Sequence, residues 1–251
     1  MVNRFLQRSW AILLDILFPP VCLRCETRIN ADTKQINADK NSSKKIICDN
    51  CYRSIKLNAT LFCGVCRARL PENKKICHPK ARYLLAAASN YDDPVLQNLI
   101  HYFKYRSFQS VAPILGEILI EYLEEIILHS EFEILNYVVI PIPLHSARER
   151  RRGFNQAQLL SEIIAHQWNL KMENVLKRTK NNKPQVGLRG NDERRKNMEN
   201  CFAILNPLAI SNKNIILVDD VITSGATLNE AARILKENGA RKILALVVAK
   251  A

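Results

Sequence analysis

Two stretches of the chain hold residue types whose spacing can do chemistry. The first is "IILVDDVITSGAT", residues 215–227. Four aliphatic residues precede adjacent Asp219 and Asp220, and a run of small, hydroxyl-bearing residues surrounds Gly225. An apolar run of this kind suits a strand buried on both faces. Behind it, Gly225 lets backbone come close to a ligand, and the free N–H groups at the start of a following helix attract an anion. Thr223, Ser224 and Thr227 add hydroxyl donors, and Ala226 completes the loop. A phosphate cradle flanked by two carboxylates suits a ligand with a phosphate at one end and a polyol beside it, namely a ribose 5-phosphate. A strand that ends in acids also fits a Walker B segment, but the sequence contains neither G-x-x-x-x-G-K-[ST] nor G-x-G-x-x-G. An acidic pocket that accepts a phosphoryl group also suits the aspartate pair, yet does not require the Thr/Ser/Gly run.

The second stretch is rich in cysteine. Seven of the eight cysteines lie between positions 22 and 77, and six of them form the pairs Cys22/Cys25, Cys48/Cys51 and Cys63/Cys66. Two Cys-x-x-Cys pairs present four thiolates in a tetrahedron, the arrangement that structural Zn2+ prefers. Cys22, Cys25, Cys48 and Cys51 are read as one such site. With all four positions closed there is no room for substrate, so the metal is expected to be structural. Three separate redox pairs fit less well, because a thioredoxin-like motif is single and adjoins a βαβ unit. Cys63 and Cys66 need two more ligands. Cys77 and His78 are at hand, with Lys80 where another cysteine would complete a knuckle. Adjacent Cys-His ligation is geometrically awkward, so completion of this second zinc site stays open in the sequence.

The remaining pattern must position these residues. A length of 251 residues allows one or two domains with a real core, and a net charge of +13 favours polyanionic partners: nucleic acid, phosphorylated metabolites or an acidic membrane face. Residues 1–20 read as an amphipathic segment, because Asp15 interrupts their apolar run and no A-x-A site follows before Cys22. No stretch approaches the roughly 18 apolar residues that span a bilayer, so a cytoplasmic location with reduced cysteines is expected. Residues 26–47, polar and carrying INAD twice, read as a long connection inside the first ribbon. Residues 81–91 predict a strand. A helix follows with Asp92 or Asp93 as cap, Pro94 in its first turn, and Val95, Leu96, Leu99, Ile100 and Phe103 on one face. Its end, "HYFKYRSF", interleaves aromatics with Lys104 and Arg106. It is read chiefly as a helix packing its rings with its cations outside, and Lys104 and Arg106 are kept as nucleic-acid candidates. A second amphipathic helix covers 110–129. From residue 137 the pattern alternates: strand "YVVIPIP", helix 155–169, strand "KNIILVDD", helix 226–240 closed by Gly239, and strand "RKILALVVA". That alternation predicts a parallel sheet with its ligand beyond the carboxyl ends of the strands. Residues 148–197 hold thirteen Lys/Arg against five Asp/Glu. Arg148, Arg150, Arg151 and Arg152, nucleic-acid candidates as well, are expected to crowd a helix start, where a bound anion, pyrophosphate or a nucleic-acid backbone, would relieve their opposition to the dipole.

Taken together, "LLDILFPPVCLRC", "HYFKYRS", "VVIPIPLHSARERRRGFNQAQLL", "PQVGLRGNDERRKNMENCF" and "LVDDVITSGATLNE" resemble the ComF family, whose members couple a zinc-ribbon module to a type I phosphoribosyltransferase fold. The resemblance covers essentially the whole chain except residues 26–47. It implies an α/β class with an N-terminal segment at 1–20, a zinc-ribbon module at 21–80 and a phosphoribosyltransferase-like domain at 81–251. It further implies that Asp219 and Asp220 contact ribose hydroxyls of phosphoribosyl pyrophosphate (PRPP), and that Thr223–Thr227 hold its 5-phosphate. The turn Pro141, Ile142, Pro143, Leu144 and His145 would lie at the pyrophosphate end. The basic stretch with Gln185, Arg189, Arg194, Arg195 and Asn197 would close over pyrophosphate, with Mg2+ bridging ligand oxygens. His145 is given no catalytic role, and Cys201 is expected in the core. Two functions stay open. One is handling of internalised single-stranded DNA during natural transformation, with a competence helicase as a partner. The other is PRPP-dependent transfer to an unidentified acceptor.

Overall fold

The computed structural model describes residues 20–29, 46–70, 77–129, 133–180 and 198–251. The chain divides into two units, 1–55 and 56–251. Within the described residues of the smaller unit, a short helix α1 (Asp49–Arg53) follows Cys48. A bridge between Val21 and Arg28 closes the loop that carries Cys22 and Cys25.

The larger unit is built on a six-stranded sheet. Its strands are β1 (Leu61–Cys63), β2 (Arg69–Leu70), β3 (Leu84–Asn90), β4 (Tyr137–Pro141), β7 (Asn214–Ile222) and β8 (Lys242–Lys250), in the order β2-β1-β3-β8-β7-β4. The pairs β3–β8, β8–β7 and β7–β4 are parallel, whereas β1 runs antiparallel to both β2 and β3. A separate ribbon joins β5 (Leu176–Arg178) to β6 (Phe202–Ile204). Strands with helices on both faces cannot alternate polar with apolar, and "IILV" in β7 and "ILALVVA" in β8 accordingly have both their odd and even positions buried.

The larger unit has five α-helices among the described residues: α2 (Pro94–Tyr105), α3 (Ala112–Leu128), α4 (Ser146–Arg152), α5 (Gln156–Gln167) and α6 (Ala226–Glu237). Asp93 caps α2, accepting from the N–H groups of Val95 and Leu96 at 2.9 and 3.1 Å, with Pro94 in the first turn, where a missing N–H costs nothing. On one face of the sheet Leu228, Ala231, Ala232 and Leu235 of α6 pack with Leu85, Ala87, Leu217, Ala245 and Val247. The side chains of opposite parity, Ile216, Val218, Leu246 and Val248, are equally buried and meet the face on which α3 and α5 pack. Those two helices approach closely because position 116 is glycine: a Cβ there would lie 2.7 Å from Ile163 Cγ2. Gly239 (φ +91°) ends α6 as the sequence predicts. No helix among the described residues is long and apolar enough to cross a membrane.

Candidate functional site

Strand β7 carries the two acids almost to its end and then runs on through Val221 and Ile222. The strand alternation gives them different surroundings. Asp220 is 6% exposed, and its Oδ1 lies 2.8 Å from Lys104 Nζ, an ion pair between strand β7 and the last turn of α2. Asp219 is half-buried, and its Oδ1 accepts from the N–H of Asp220 at 2.9 Å. Removal from water, together with the neighbouring Asp220 charge, pushes the Asp219 carboxyl up to about 7, against the pull of Lys104. Burial alone would lower the Lys104 ammonium, but the charge and hydrogen bond of Asp220 outweigh it and hold the group above its ordinary value. Lys104 is thus not an outward cation on a solvated helix face, and it forms part of the acidic cluster. The ring-packing reading holds for Phe103, which is fully buried, but not for Tyr105, which is 59% exposed with the Arg152 guanidinium 5.9 Å from its ring centre.

The residues after β7 turn sharply into α6. Gly225 is the N-cap in the left-handed conformation (φ +77°) and brings no capping side chain of its own. Ser224 Oγ accepts from the N–H of Ala226 at 3.3 Å and shapes the loop. Around the side of Gly225 that lacks a Cβ, three groups converge. A Cβ there would be 3.4 Å from Asn229 Nδ2, 3.4 Å from the Tyr83 hydroxyl and 3.5 Å from Arg67 Nη2.

Beyond the carboxyl end of β4, Ile142 donates its N–H to Val218 at 2.9 Å, and its carbonyl accepts from Asn155 Nδ2 at 3.1 Å. The turn Pro141–Leu144 is thereby tied to the strand bearing the acids. His145 caps α4, its Nδ1 accepting from the N–H of Ala147 at 3.2 Å. The arginine cluster is placed differently from the sequence expectation. Gly153 (φ +83°) ends α4 directly after Arg152, and α5 starts afresh at Gln156 with Asn155 as its cap. Arg150, Arg151 and Arg152 therefore occupy the last turn of a short helix, where cations favour the dipole, so the argument from dipole opposition falls away. Arg106, Arg150 and Arg151 are exposed, while Arg148 and Arg152 are half-buried. Gln185, Arg189, Arg194, Arg195 and Asn197 lie outside the described residues, as do residues 1–19 and most of the connection at 26–47.

A further cation near the acids was not singled out in the sequence. Arg178, buried with Leu176 on the inward side of β5, is 9% exposed. Its Nη2 donates to Met198 Sδ at 3.4 Å, whereas its Nε has no hydrogen-bond partner among the described residues. Burial pulls the guanidinium below its ordinary value and the Asp219 charge pulls the other way. Only the period-2 burial of "LKR" could have flagged it, and that signal normally selects an apolar residue. The neighbouring Cys201 is fully buried, which pushes its thiol up to about 11. A pocket of about 360 Å3 lies along α6 rather than over the acids. Of its lining charges, Arg233 and Glu230 pair with each other, and Arg233 also binds Glu237.

The cysteines form two clusters able to hold a metal ion. The ligand atoms of Cys22, Cys25, Cys48 and Cys51 all lie within 4.8 Å of one another, as do those of Cys63, Cys66, Cys77 and His78. Tetrahedral Zn2+ with thiolates at about 2.3 Å needs ligand separations of about 3.8 Å. The sulfurs of Cys25 and Cys48 are 3.6 Å apart, and those of Cys66 and Cys77 are 3.4 Å apart. His78 Nδ1 sits 3.4 Å from Cys63 Sγ and 3.3 Å from Cys77 Sγ, so adjacent Cys and His do reach one centre. Backbone N–H groups of Arg24 and Val65 point at Cys22 Sγ and Cys63 Sγ, both at 3.4 Å, as thiolate ligands require.

Comparison with known proteins agrees with this geometry. Residues 116–251 match the phosphoribosyl transferase domain family. Competence protein F of Haemophilus influenzae is 30% identical over 220 residues, covering 83% of this chain and 92% of that protein. The DNA utilization protein YhgH of Escherichia coli K12 is 30% identical, covering 78% of this chain and 87% of its own length. Competence protein ComFC of Bacillus subtilis is 26% identical over 87% of this chain and 90% of its own length. Matched nearly end to end by these relatives, with a phosphoribosyl transferase domain on a mostly parallel sheet, the chain belongs to the ComF family.

Proposed function

We propose that the pocket beyond β7 binds PRPP, and that the protein uses this site in handling single-stranded DNA taken up during natural transformation. The observation that carries the first half is the Asp219–Asp220–Lys104 cluster continuing directly into a glycine-capped helix start. Carboxylates at Asp219 and Asp220 accept hydrogen bonds from ribose hydroxyls, and the backbone N–H groups at the start of α6 take the 5-phosphate. Buried Arg178, whose Nε has no partner among the described residues, and half-buried Arg148 supply positive charge for pyrophosphate beside the turn Pro141–His145. Mg2+ bound with the ligand beside Asp219 and Asp220 would neutralise the remaining charge. Lys104 already counters Asp220, so the two acids need not hold that ion by themselves.

The second half rests on relatives named for competence and DNA utilization and on the exposed cations Arg106, Arg150 and Arg151. Calorimetry with Mg-PRPP tests the pocket: Asp219→Asn combined with Asp220→Asn should abolish binding, and unchanged affinity would remove the assignment. Titration of single-stranded DNA at several salt concentrations tests the surface. A slope of about 0.7 per phosphate contacted is expected, and a flat response would exclude a strand track.

One observation favours PRPP-dependent transfer as a second reading. The Asp219 carboxyl, pushed up to about 7 next to the Lys104–Asp220 ion pair, is poised to exchange a proton at neutral pH. Pyrophosphate release from PRPP across a panel of acceptors, with and without single-stranded DNA, separates binding from turnover.

A further inference from the structure

The second cysteine cluster lies close in space to the sugar-phosphate loop, and nothing in either motif requires this. In "CGVCR", residues 63–67, the backbone turns so that the N–H of Arg67 donates to the carbonyl of Cys63 at 2.9 Å, and Arg67 itself is left-handed (φ +59°). That conformation is disfavoured for any residue with a Cβ. It throws the guanidinium towards the carboxyl ends of β7 and β8. Arg67 Nη1 donates to the carbonyl of Ala251 at 3.2 Å, and the N–H of Ala251 donates to Ile222, the last residue of β7, at 2.9 Å. With one arm so anchored, Nη2 lies 3.5 Å from where a Cβ of Gly225 would stand. The Tyr83 hydroxyl reaches the same point at 3.4 Å, is part of a side chain only 3% exposed, and has no hydrogen-bond partner among the described residues. A buried hydroxyl without a partner costs free energy unless a ligand satisfies it. Asn229 Nδ2, one turn into α6, is the third donor at that point.

We infer that Arg67 and Tyr83 complete the phosphate cradle, donating to the 5-phosphoryl group of a ribose phosphate from outside the Thr223–Thr227 loop. The knuckle thereby acts as a ligand-presenting element as well as a brace. The inference rests on the sugar-phosphate reading of the loop and adds to it the residues that recognise the terminal phosphoryl group. Three donors gathered on one side of Gly225 favour a dianion over a sugar hydroxyl, so selectivity for phosphorylated over unphosphorylated ribose should follow from them.

Calorimetry on the full-length, zinc-loaded chain with three probes, ribose 5-phosphate, Mg-PRPP and inorganic pyrophosphate, tests this. Arg67→Gly suits the left-handed backbone and should keep its metal and melt no lower than the wild type. It should weaken ribose 5-phosphate and PRPP roughly tenfold, the scale of one charge-assisted hydrogen bond, and leave pyrophosphate affinity unchanged. Tyr83→Phe should weaken the same two ligands about threefold, and Arg67→Lys should recover part of the loss. Should Arg67→Gly lose its metal, Tyr83→Phe decides by the same criterion. Wild-type affinity for ribose 5-phosphate in both variants, while the Asp219/Asp220 double variant loses PRPP, would overturn the inference and leave the site standing. If the wild type binds neither ribose 5-phosphate nor PRPP, the sugar-phosphate reading fails and this inference fails with it.

Discussion

The two cysteine clusters make the same turn and put it to different ends. In the first, Cys22-x-x-Cys25 is followed by left-handed Glu26 (φ +60°), whose N–H donates to the carbonyl of Cys22 at 2.9 Å. In the second, Cys63-x-x-Cys66 is followed by left-handed Arg67 with the same bond to Cys63, also 2.9 Å. The backbone is the same, but the surroundings differ. Glu26 is exposed in the smaller unit. Arg67 belongs to a knuckle that continues β1, a strand paired with β3 in the main sheet, and its side chain ends beside Gly225. A knuckle geometry fixed by metal is stiff, so what it offers a ligand depends on the residue after its second cysteine and on the element it is joined to.

The largest expected effect comes from breaking one cluster at a time. Cys63→Ser should release the second metal, loosen β1, and lower PRPP affinity by about a hundredfold or more, because structural zinc contributes on the order of 10 kcal/mol to the fold it closes. Cys25→Ser should release the first metal and leave PRPP affinity within about twofold, since no described residue of that cluster belongs to the larger unit. Metal analysis with calorimetry on both variants checks the pair. Equal losses would erase the functional distinction between the knuckles.

The next effect concerns the acids the loop follows. Asp219 sits near 7 in the folded protein, above its ordinary carboxyl value. In the proposed PRPP site the carboxylate form would accept ribose hydroxyls, so PRPP affinity should rise as pH climbs through about 7 and flatten above it. Lys104→Met removes the cation that opposes this shift and should move the midpoint of that pH profile upward. Asp219→Asn should flatten the profile. The same shift has a stability consequence of opposite sense. The folded state holds the Asp219 proton more tightly than the unfolded chain does, so stability should fall as pH rises from about 4 to about 7 and then level off. Asp219→Asn should be more stable than the wild type at pH 8 by roughly 2 kcal/mol, measured by urea denaturation of ligand-free protein.

The smallest effect sharpens the comparison most. Glu26→Gly and Arg67→Gly both relieve a left-handed residue, and each should raise stability by about 1 kcal/mol. Only Arg67→Gly should also weaken ribose 5-phosphate. Paired denaturation and binding curves for the two variants isolate side-chain chemistry from turn geometry.

Much of this is legible residue by residue in the sequence. Apolar runs buried on both faces mark β7 and β8, Asp93–Pro94 marks the start of α2, and Gly225 and Gly239 mark the two ends of α6. Each is a local signal: backbone conformation and burial within one element follow from residue type at short spacing. The Cys-x-x-Cys pairs are legible for the same reason, as a knuckle is a five-residue turn. The arginine cluster misled because "RERRRG" holds both a helix and its stop, and only the cap at Asn155 shows where the next helix starts.

What the sequence by itself determined is therefore the set of parts: an alternating α/β chain, cysteine turns able to hold a metal ion, and an apolar strand running through two acids into a glycine-capped helix. The tertiary structure alone decided which distant residues meet there. Lys104 reaches Asp220 across from α2, Arg178 comes in from a separate ribbon, His78 closes the second cluster, and Arg67 and Tyr83 arrive from the antiparallel edge. The physical reason is that these contacts depend on strand order and register. Both are set by how several buried faces pack together at once, and no local spacing in the chain records that outcome.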